Sequence, residues 1–325
     1  MNIGLIGCGN VGIKRAQSIG EGDDLIIVVD SDLLKAKKLA NMMKIKKFSS
    51  DPYEVIQDDS IDMVIISTTN DYLASLTLAA VINGKHVLVE KPAGRNSDEL
   101  LPIICEAHKN KVYVKVGFNH RFHPAFIKAK EFVKSRALGE LMFVRGRYGH
   151  GGRLGYEKEW RADPAKSGGG ELIDQGVHLI DLSRWFLGDL DVINSYAHTY
   201  FWDMPVEDNA FLMLKSSKDK VAWLHVSCTE WKNMFSFEIY GRKGKLVIDG
   251  LGGSYGVEQL TYYRMYPKMG IPDTGIWKYK SKVDLSWQNE LDYFIQCIKY
   301  HKKPEGDISD AKKALDIVKI VYANH

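Results

Sequence analysis

Ile3-Gly4-Leu5-Ile6-Gly7-Cys8-Gly9-Asn10-Val11-Gly12, continuing into Ile13-Lys14-Arg15-Ala16, is the stretch whose reading decides the fold. A short aliphatic run of strand character precedes the glycines and a run of helical character follows them. In that setting Gly-x-Gly-x-x-Gly marks a strand turning into a helix. Gly7 permits the tight turn, Gly9 lets backbone approach a pyrophosphate, and Gly12 lets helix and strand pack closely. The helix start offers unpaired N–H groups to phosphates. Asp30 closes the next apolar run, 18 positions beyond Gly12, where its carboxylate can accept hydrogen bonds from the adenosine ribose hydroxyls. A 2′-phosphate would meet that charge, with Asp32 close behind, so the pattern favours NAD over NADP; Lys35, Lys37 and Lys38 are the residues that could offset a phosphate. The bland alternative is a glycine turn that binds nothing, with Asp30 as a helix cap. It leaves the combination of strand, glycines, helix and acid unexplained.

Outward from this motif the first third keeps the same rhythm. Residues 3–6, 25–30, 63–67, 87–89 and 112–116 are aliphatic runs of strand length. Between them residues 12–19, 33–43, 73–83 and 97–110 have helical spacing, with Asn83-Gly84 closing one helix and Ser97 placed to cap another. Continuous apolar strands alternating with helices imply a doubly wound parallel sheet covered on both faces, over a dinucleotide-binding domain at residues 1–120. The texture then changes. Residues 124–135 read as a helix, 141–148 as a strand, 163–170 as a loop, and 172–187 as a helix. Strand-like runs at 192–201, 209–215, 221–228, 235–240 and 245–249 follow, then terminal helices over 286–300 and 309–323. This predicts a second α/β domain, residues 121–325, with an open and largely antiparallel sheet and terminal helices able to pack back on the first domain.

A chain of 325 residues exceeds what one core supports. With 44 basic and 41 acidic residues the net charge is +3, too balanced to point to nucleic acid. No apolar run approaches a membrane span, and the N-terminus lacks the pattern of a secretory signal. Cys8, Cys105, Cys228 and Cys297 are scattered, so no zinc site or disulfide framework is indicated and four reduced thiols in a cytoplasmic protein are expected.

Two segments carry the expected chemistry. Gly84-Lys85-His86-Val87-Leu88-Val89-Glu90-Lys91-Pro92 places Lys91 where a buried strand ends, the edge at which parallel sheets bind ligands. A lysine there can hold a substrate oxygen. Alone it is more often a solvated strand end. In Gly168-Gly169-Gly170-Glu171-Leu172-Ile173-Asp174-Gln175-Gly176-Val177-His178-Leu179-Ile180-Asp181, Asp174, His178 and Asp181 fall on one helical face amid apolar residues. Histidine suits proton transfer near neutrality, and Asp174 could orient it. The plainer readings are a hydrogen-bonded core pair and an Asp181–Arg184 pair. No further ligand cluster supports a metal.

These motifs, with Val116-Gly117-Phe118-Asn119-His120-Arg121-Phe122, resemble the glucose–fructose oxidoreductase/inositol dehydrogenase (Gfo/Idh/MocA) family by motif over residues 1 to about 190 and by texture beyond. The resemblance implies an NAD(P)-dependent oxidoreductase acting at a secondary alcohol carbon of a sugar, inositol or nucleotide sugar. It implies Lys91, Asp174 and His178 as the catalytic group. Gly7, Gly9, Asn10, Val11, Gly12 and Asp30 would hold the adenine half of the cofactor, and Ser67, Thr68, Asn70, Glu90, Lys91 and Asn119 the rest. Arg121, Tyr148, Trp160 and Arg161, with Asp174 and His178, are the implied substrate contacts, to which the basic loop at 150–153 adds Arg153 as a candidate. A homodimer or homotetramer through the second domain's sheet is implied too. Two positions depart from the family pattern: Thr69 stands where proline is usual and Leu73 where histidine is usual, which unsettles contacts near the nicotinamide. Relatives include NAD-dependent glycosidases and cofactor-sensing regulators, the two rival functions.

Residues 145–166 hold six basic against three acidic side chains. They are expected either to bind an anionic substrate such as a nucleotide sugar, through Arg153 and its neighbours, or to form a solvated edge.

Overall fold

The computed structural model of the chain describes residues 1–280 and 283–324. Of the expected second domain, residues 281, 282 and 325 lie outside the described residues. The chain divides into two compact units. The first takes Met1–Phe118, Ala165–Gly168 and Trp287–Asp316; the second takes Asn119–Pro164, Gly169–Ser286 and the chain from Ile317 onward.

The first unit alternates β1 (Asn2–Ile6), α1 (Asn10–Gln17), β2 (Asp24–Val29), α2 (Leu33–Met43), β3 (Lys47–Ser49), α3 (Tyr53–Ile56), β4 (Met63–Ile66), α4 (Asn70–Ile82), β5 (His86–Val89), α5 (Leu101–Lys109) and β6 (Val114–Val116). Among the described residues its strands form one parallel sheet in the order β3-β2-β1-β4-β5-β6. Ile3, Leu5, Val28, Met63, Ile65 and Leu88 are fully buried, as strands covered on both faces require. The order reverses between β1 and β4, so the loops leaving those two strands border the crevice where such sheets bind ligands. Two elements go beyond the sequence reading: β3 and α3, of three and four residues. The expected Ser97 cap is corrected by one position. Asn96 Oδ1 accepts from the N–H groups of Asp98 and Glu99, and the Ser97 side chain makes no capping bond.

The second unit contains α6 (Pro124–Lys134) and β7 (Leu141–Gly149). The loop expected over 163–170, of which Ala165–Gly168 belong to the first unit, contains one helical turn, α7 (Pro164–Ser167), opened by a proline whose fixed φ suits a first helical position, and the glycines follow it. Then come α8 (Val177–Leu187), β8 (Asp191–His198), β9 (Asn209–Lys215), β10 (Val221–Ser227), β11 (Met234–Gly241), β12 (Gly244–Asp249), β13 (Glu258–Arg264) and β14 (Thr274–Tyr279). The strands form a sheet in the order β14-β13-β12-β11-β7-β10-β9-β8. It is antiparallel except where β7 runs parallel to β10. Alternation sorts the two faces. Val144, Leu224, Phe237 and Ile239 are buried on one, where Phe126 of α6 meets Phe237 at 5.6 Å between ring centroids. Leu179 of α8 lies over Gly146, where a Cβ would stand 3.2 Å from it. Phe211, Met213 and Trp223 are exposed on the other face.

The helix expected over 172–187 opens differently. Residues Leu172–Gly176 form a π-helical turn before α8 begins. Glu207, on the segment entering β9, ties down its start: its carboxylate accepts from the N–H groups of Gly170 and Leu172 and from the Tyr322 hydroxyl. Burial pushes the Glu207 carboxyl up, opposed by the Leu172 N–H and that hydroxyl.

Two helices close the chain, α9 (Ser286–Lys299) and α10 (Ile308–Ala323). The part of α9 in the first unit supplies Glu290, which is fully buried. Its carboxylate pairs with Arg15 of α1 at 2.9 Å and with Lys115 of β6 at 2.8 Å.

Candidate functional site

The first unit shapes the glycine loop from its neighbours. Gly7 sits at φ +99°, and a Cβ on Gly12 would stand 1.9 Å from the Gly7 carbonyl oxygen. Both positions therefore exclude any side chain. Gly9 is different: nothing lies within 4 Å of where its Cβ would be, and no side chain caps α1 there. The first-turn N–H groups of α1, at Asn10 and Val11 and beyond, thus face an open approach. From β2, Asp30 reaches back and accepts from the Cys8 N–H at 2.7 Å, while its other oxygen accepts from the Asp32 N–H. Burial, and Asp30 after it, push the Cys8 thiol up to about 12, so Cys8 stays protonated and packs as a small apolar residue. Ser67 leaves β4 and donates its hydroxyl to the Gly7 carbonyl at 2.8 Å. An uncapped helix start, an exposed glycine backbone and a carboxylate at the end of β2 fit a dinucleotide.

Other expected cofactor residues in this unit have defined partners. Asn70 begins α4 and donates to the Ser167 carbonyl at 2.8 Å. The Thr68 hydroxyl donates to the Thr69 carbonyl. Leu73, where the family pattern has histidine, is fully buried. Glu90, at the end of β5, accepts from Arg15 Nε at 2.6 Å. Gly117 leaves the room for this pair, since a Cβ there would stand 2.7 Å from Arg15. The Arg15 guanidinium also lies 4.5 Å from the Trp287 ring centroid. Lys91 follows Glu90 at the carboxyl end of β5, half-buried, and its peptide bond to Pro92 is cis.

In the second unit, His178 is the second residue of α8 and is buried. Its ring stacks on that of His120 with centroids 3.8 Å apart and planes 19° apart, and Tyr148 presents an edge to it at 6.2 Å. Burial, with the neighbouring Tyr255 next, pushes the Tyr148 phenol well up. Asp174, in the π turn, accepts from Arg161 Nε at 3.1 Å, and that guanidinium lies 4.6 Å from the Trp160 ring. Asp181 holds Arg121 through two bonds, 2.8 Å to Nε and 2.5 Å to a terminal nitrogen. Arg184, the partner suggested by spacing, reaches Asp189. Asn119 donates to the Ser286 hydroxyl at 2.9 Å.

Spacing alone misses a second polar cluster beside these residues. Glu171, buried at the start of the π turn, accepts from the Tyr156 hydroxyl at 2.7 Å and lies 3.2 Å from His150 Nε2. Burial opposes a charge on His150, but the bond to Glu171 and the nearby Asp174 outweigh it and hold its pKa up. Burial and the same two carboxylates push the Tyr156 phenol up. His120 and Glu171 both stand inside motifs that the sequence singles out. The signal that could have found them was a polar residue beside a glycine or a histidine in an otherwise apolar run.

Three arginines of the basic segment pair with carboxylates of the second unit. Arg145 meets Glu238, Arg153 meets Glu159, and Arg161 meets Asp174 and Glu159. Arg145 and Arg147 project from the sheet face opposite Tyr148. Among the described residues no group of three metal-ligating side chains is assembled, and no helix is long and apolar enough to cross a membrane.

Comparison with known proteins agrees with both halves. Residues 1–118 match the family model described as Oxidoreductase family, NAD-binding Rossmann fold, and residues 126–247 the one described as GFO/IDH/MocA C-terminal domain. The chain is 25% identical to scyllo-inositol 2-dehydrogenase (NAD(+)) of Bacillus subtilis, over 96% of this chain and 90% of that protein. It is 25% identical to myo-inositol 2-dehydrogenase of Thermotoga maritima, over 97% of this chain and 93% of that protein. A levoglucosan dehydrogenase solved with NADH and levoglucosan shares the fold at a TM-score of 0.90 and 20% identity, covering 100% of this chain and 97% of that one.

Proposed function

Because this chain belongs to the Gfo/Idh/MocA family of NAD-binding oxidoreductases, we propose that it oxidises or reduces one secondary alcohol carbon of a neutral sugar or inositol, with His178 as acid/base and Lys91 and Asp174 as its partners. It is an NAD-dependent dehydrogenase acting on CH–OH groups. When bound, NAD supplies the hydride acceptor or donor.

In the oxidative direction His178 takes the hydroxyl proton. Lys91 holds the same oxygen and stabilises the charge that develops on it. Asp174 keeps Arg161 in place, so the carboxylate enters the site already partly neutralised. The observation that carries this assignment is the burial of the His178 ring against His120, with centroids 3.8 Å apart and Tyr148 edge-on at 6.2 Å. The Tyr148, Tyr156 and Tyr255 phenols are all pushed up, chiefly by burial, and stay protonated near neutrality. None of these three phenols therefore competes with the buried His178 imidazole as a base.

The pairing of Arg153 and Arg161 with carboxylates favours a neutral substrate over an anionic one such as a nucleotide sugar. The test is NAD reduction, followed at the absorbance of NADH, across inositols, aldoses and sugar acids. Tight NAD binding without turnover on any of them would overturn the reading.

Asp30 carries a separate expectation. Asp30→Ala removes both the ribose acceptor and the partner of the Cys8 N–H. Hydrogen bonds to charged groups are worth roughly 1.5–3 kcal/mol, so the Kd for NAD should rise by about tenfold or more, with a smaller gap between NAD and NADP. Calorimetric titration of both nucleotides measures this, and an unchanged Kd for NAD would remove Asp30 from the cofactor site.

We also infer a homodimer or homotetramer through the exposed face of the second unit's sheet. Trp223, Met213 and Phe211 are exposed there, and Trp223 and Phe211 line a groove of about 320 Å³. Phe211 stacks flat on His225 at 4.2 Å. Such an apolar patch favours a covered state. Trp223→Asp is expected to lower the molar mass measured by light scattering to that of the monomer, and an unchanged mass would exclude this face as the contact.

A further inference from the structure

One end of the second unit's sheet carries an aromatic row that the hydride chemistry does not use. Phe201 and Trp231 are 58% and 65% exposed, with ring centroids 4.7 Å apart and planes at 83°. Phe201 meets Trp202 at 5.1 Å, and Trp202 meets Tyr156 at 5.7 Å. Tyr156 is buried and donates to Glu171, three residues before Asp174. The row thus runs from solvent to the polar cluster beside Asp174. The rings belong to the loops after β8 and β10, at the rim where Gly149 pairs with Ser227. They are separate from Phe211 and Trp223 on the sheet's open face.

Hydrogen bonds fix the segment that carries Phe201 and Trp202. The N–H groups of Tyr200, Phe201 and Trp202 all donate to the carboxylate of Asp208, which is fully buried. The Trp202 indole N–H donates to the Cys228 carbonyl at 2.9 Å. A Cβ on Gly152 would stand 2.2 Å from the Trp202 ring, so the adjoining loop closes on it only as glycine. Trp231 sits at φ +57°, a left-handed conformation costly for a bulky side chain. Exposed indole and phenyl rings fixed at the cost of a buried carboxylate and a strained backbone are the mark of a binding surface.

We propose that Phe201 and Trp231 form a stacking platform for a second sugar ring, so that the preferred substrate is a glycoside of two or more rings. The apolar C–H face of a pyranose packs on an aromatic ring and leaves its hydroxyls in water. The platform carries no charge of its own, as a neutral saccharide requires. This rests on the dehydrogenase reading for the ring that reacts.

The test compares kcat/KM for cellobiose, maltose and phenyl β-glucoside with that for glucose. At least one two-ring probe should exceed glucose about tenfold in the unaltered protein. Trp231→Ala and Phe201→Ala should each cut that ratio by about five- to tenfold, mainly through the KM of the two-ring probe. The proposal is overturned if no two-ring probe is preferred, or if both variants keep the ratio. It is equally overturned if they change the molar mass by light scattering and leave the ratio alone, since the row would then be a contact between copies. If no probe at all is oxidised, the dehydrogenase reading falls and calorimetric titration with cellobiose decides the platform separately. Binding that Trp231→Ala abolishes supports it, and no heat from the unaltered protein overturns it.

Discussion

His178→Asn is expected to lower kcat by about 10²–10⁴-fold, the usual contribution of a positioned general base, with the Kd for NAD unchanged. Asparagine keeps a polar group of similar reach on α8 and cannot accept and release a proton near neutrality. The ring it removes stacks on His120 with centroids 3.8 Å apart, so the scaffold around the base is set by packing and should survive the exchange. Steady-state kinetics over a range of pH check both halves. The residual rate should climb with pH as hydroxide replaces the lost base. A loss below tenfold, or a profile of unchanged shape, would move the proton transfer to another residue. His150 would be the next to examine, because Glu171 already holds its pKa up.

The second large effect concerns stability. Glu290→Leu leaves Arg15 and Lys115, both fully buried, with Glu90 as the remaining carboxylate of the network. Removing one member of a buried ion pair costs about 3–5 kcal/mol, because the surviving charge stays out of water. The first unit should unfold roughly 10 °C earlier in a thermal scan. Adding Lys115→Met removes the surplus positive charge and should restore part of the loss. Non-additivity of this kind identifies a coupled network. If the double variant is the sum of its singles, the four groups do not act together.

Much of this architecture is legible from local pattern. The strand, the glycines and Asp30 announce the loop because each answers to a short-range demand: a tight turn, a close approach, a ribose acceptor. The alternation of β9 through β12 shows in the sequence because one face is buried. What escapes is either short or distant. β3 and α3 are too brief for a period to register. β13 and β14 flank a turn rich in proline and glycine, where alternation fades. The π turn at Leu172–Gly176 depends on Glu207, more than thirty positions on, and no local propensity encodes it. Distance also hides the charge pairs. Asp181 takes Arg121, 60 positions away, and Arg15 takes Glu90 and Glu290. The basic segment shows the opposite limit. Its charges are plain in the sequence, but their carboxylate partners are set by sheet register and loop geometry.

The burial of Glu290 against Arg15 and Lys115 bears on how the chain is made. Translation produces the glycine loop long before α9, so a nascent chain emerges with Arg15 and Lys115 lacking the Glu290 carboxylate until residue 290 has been added. The nucleotide-binding half can therefore gather its strands early but cannot reach its final stability until α9 follows. A ribosome that stalls before residue 290 would leave an unfinished intermediate, and chaperones would meet it with Arg15 and Lys115 still short of the Glu290 carboxylate.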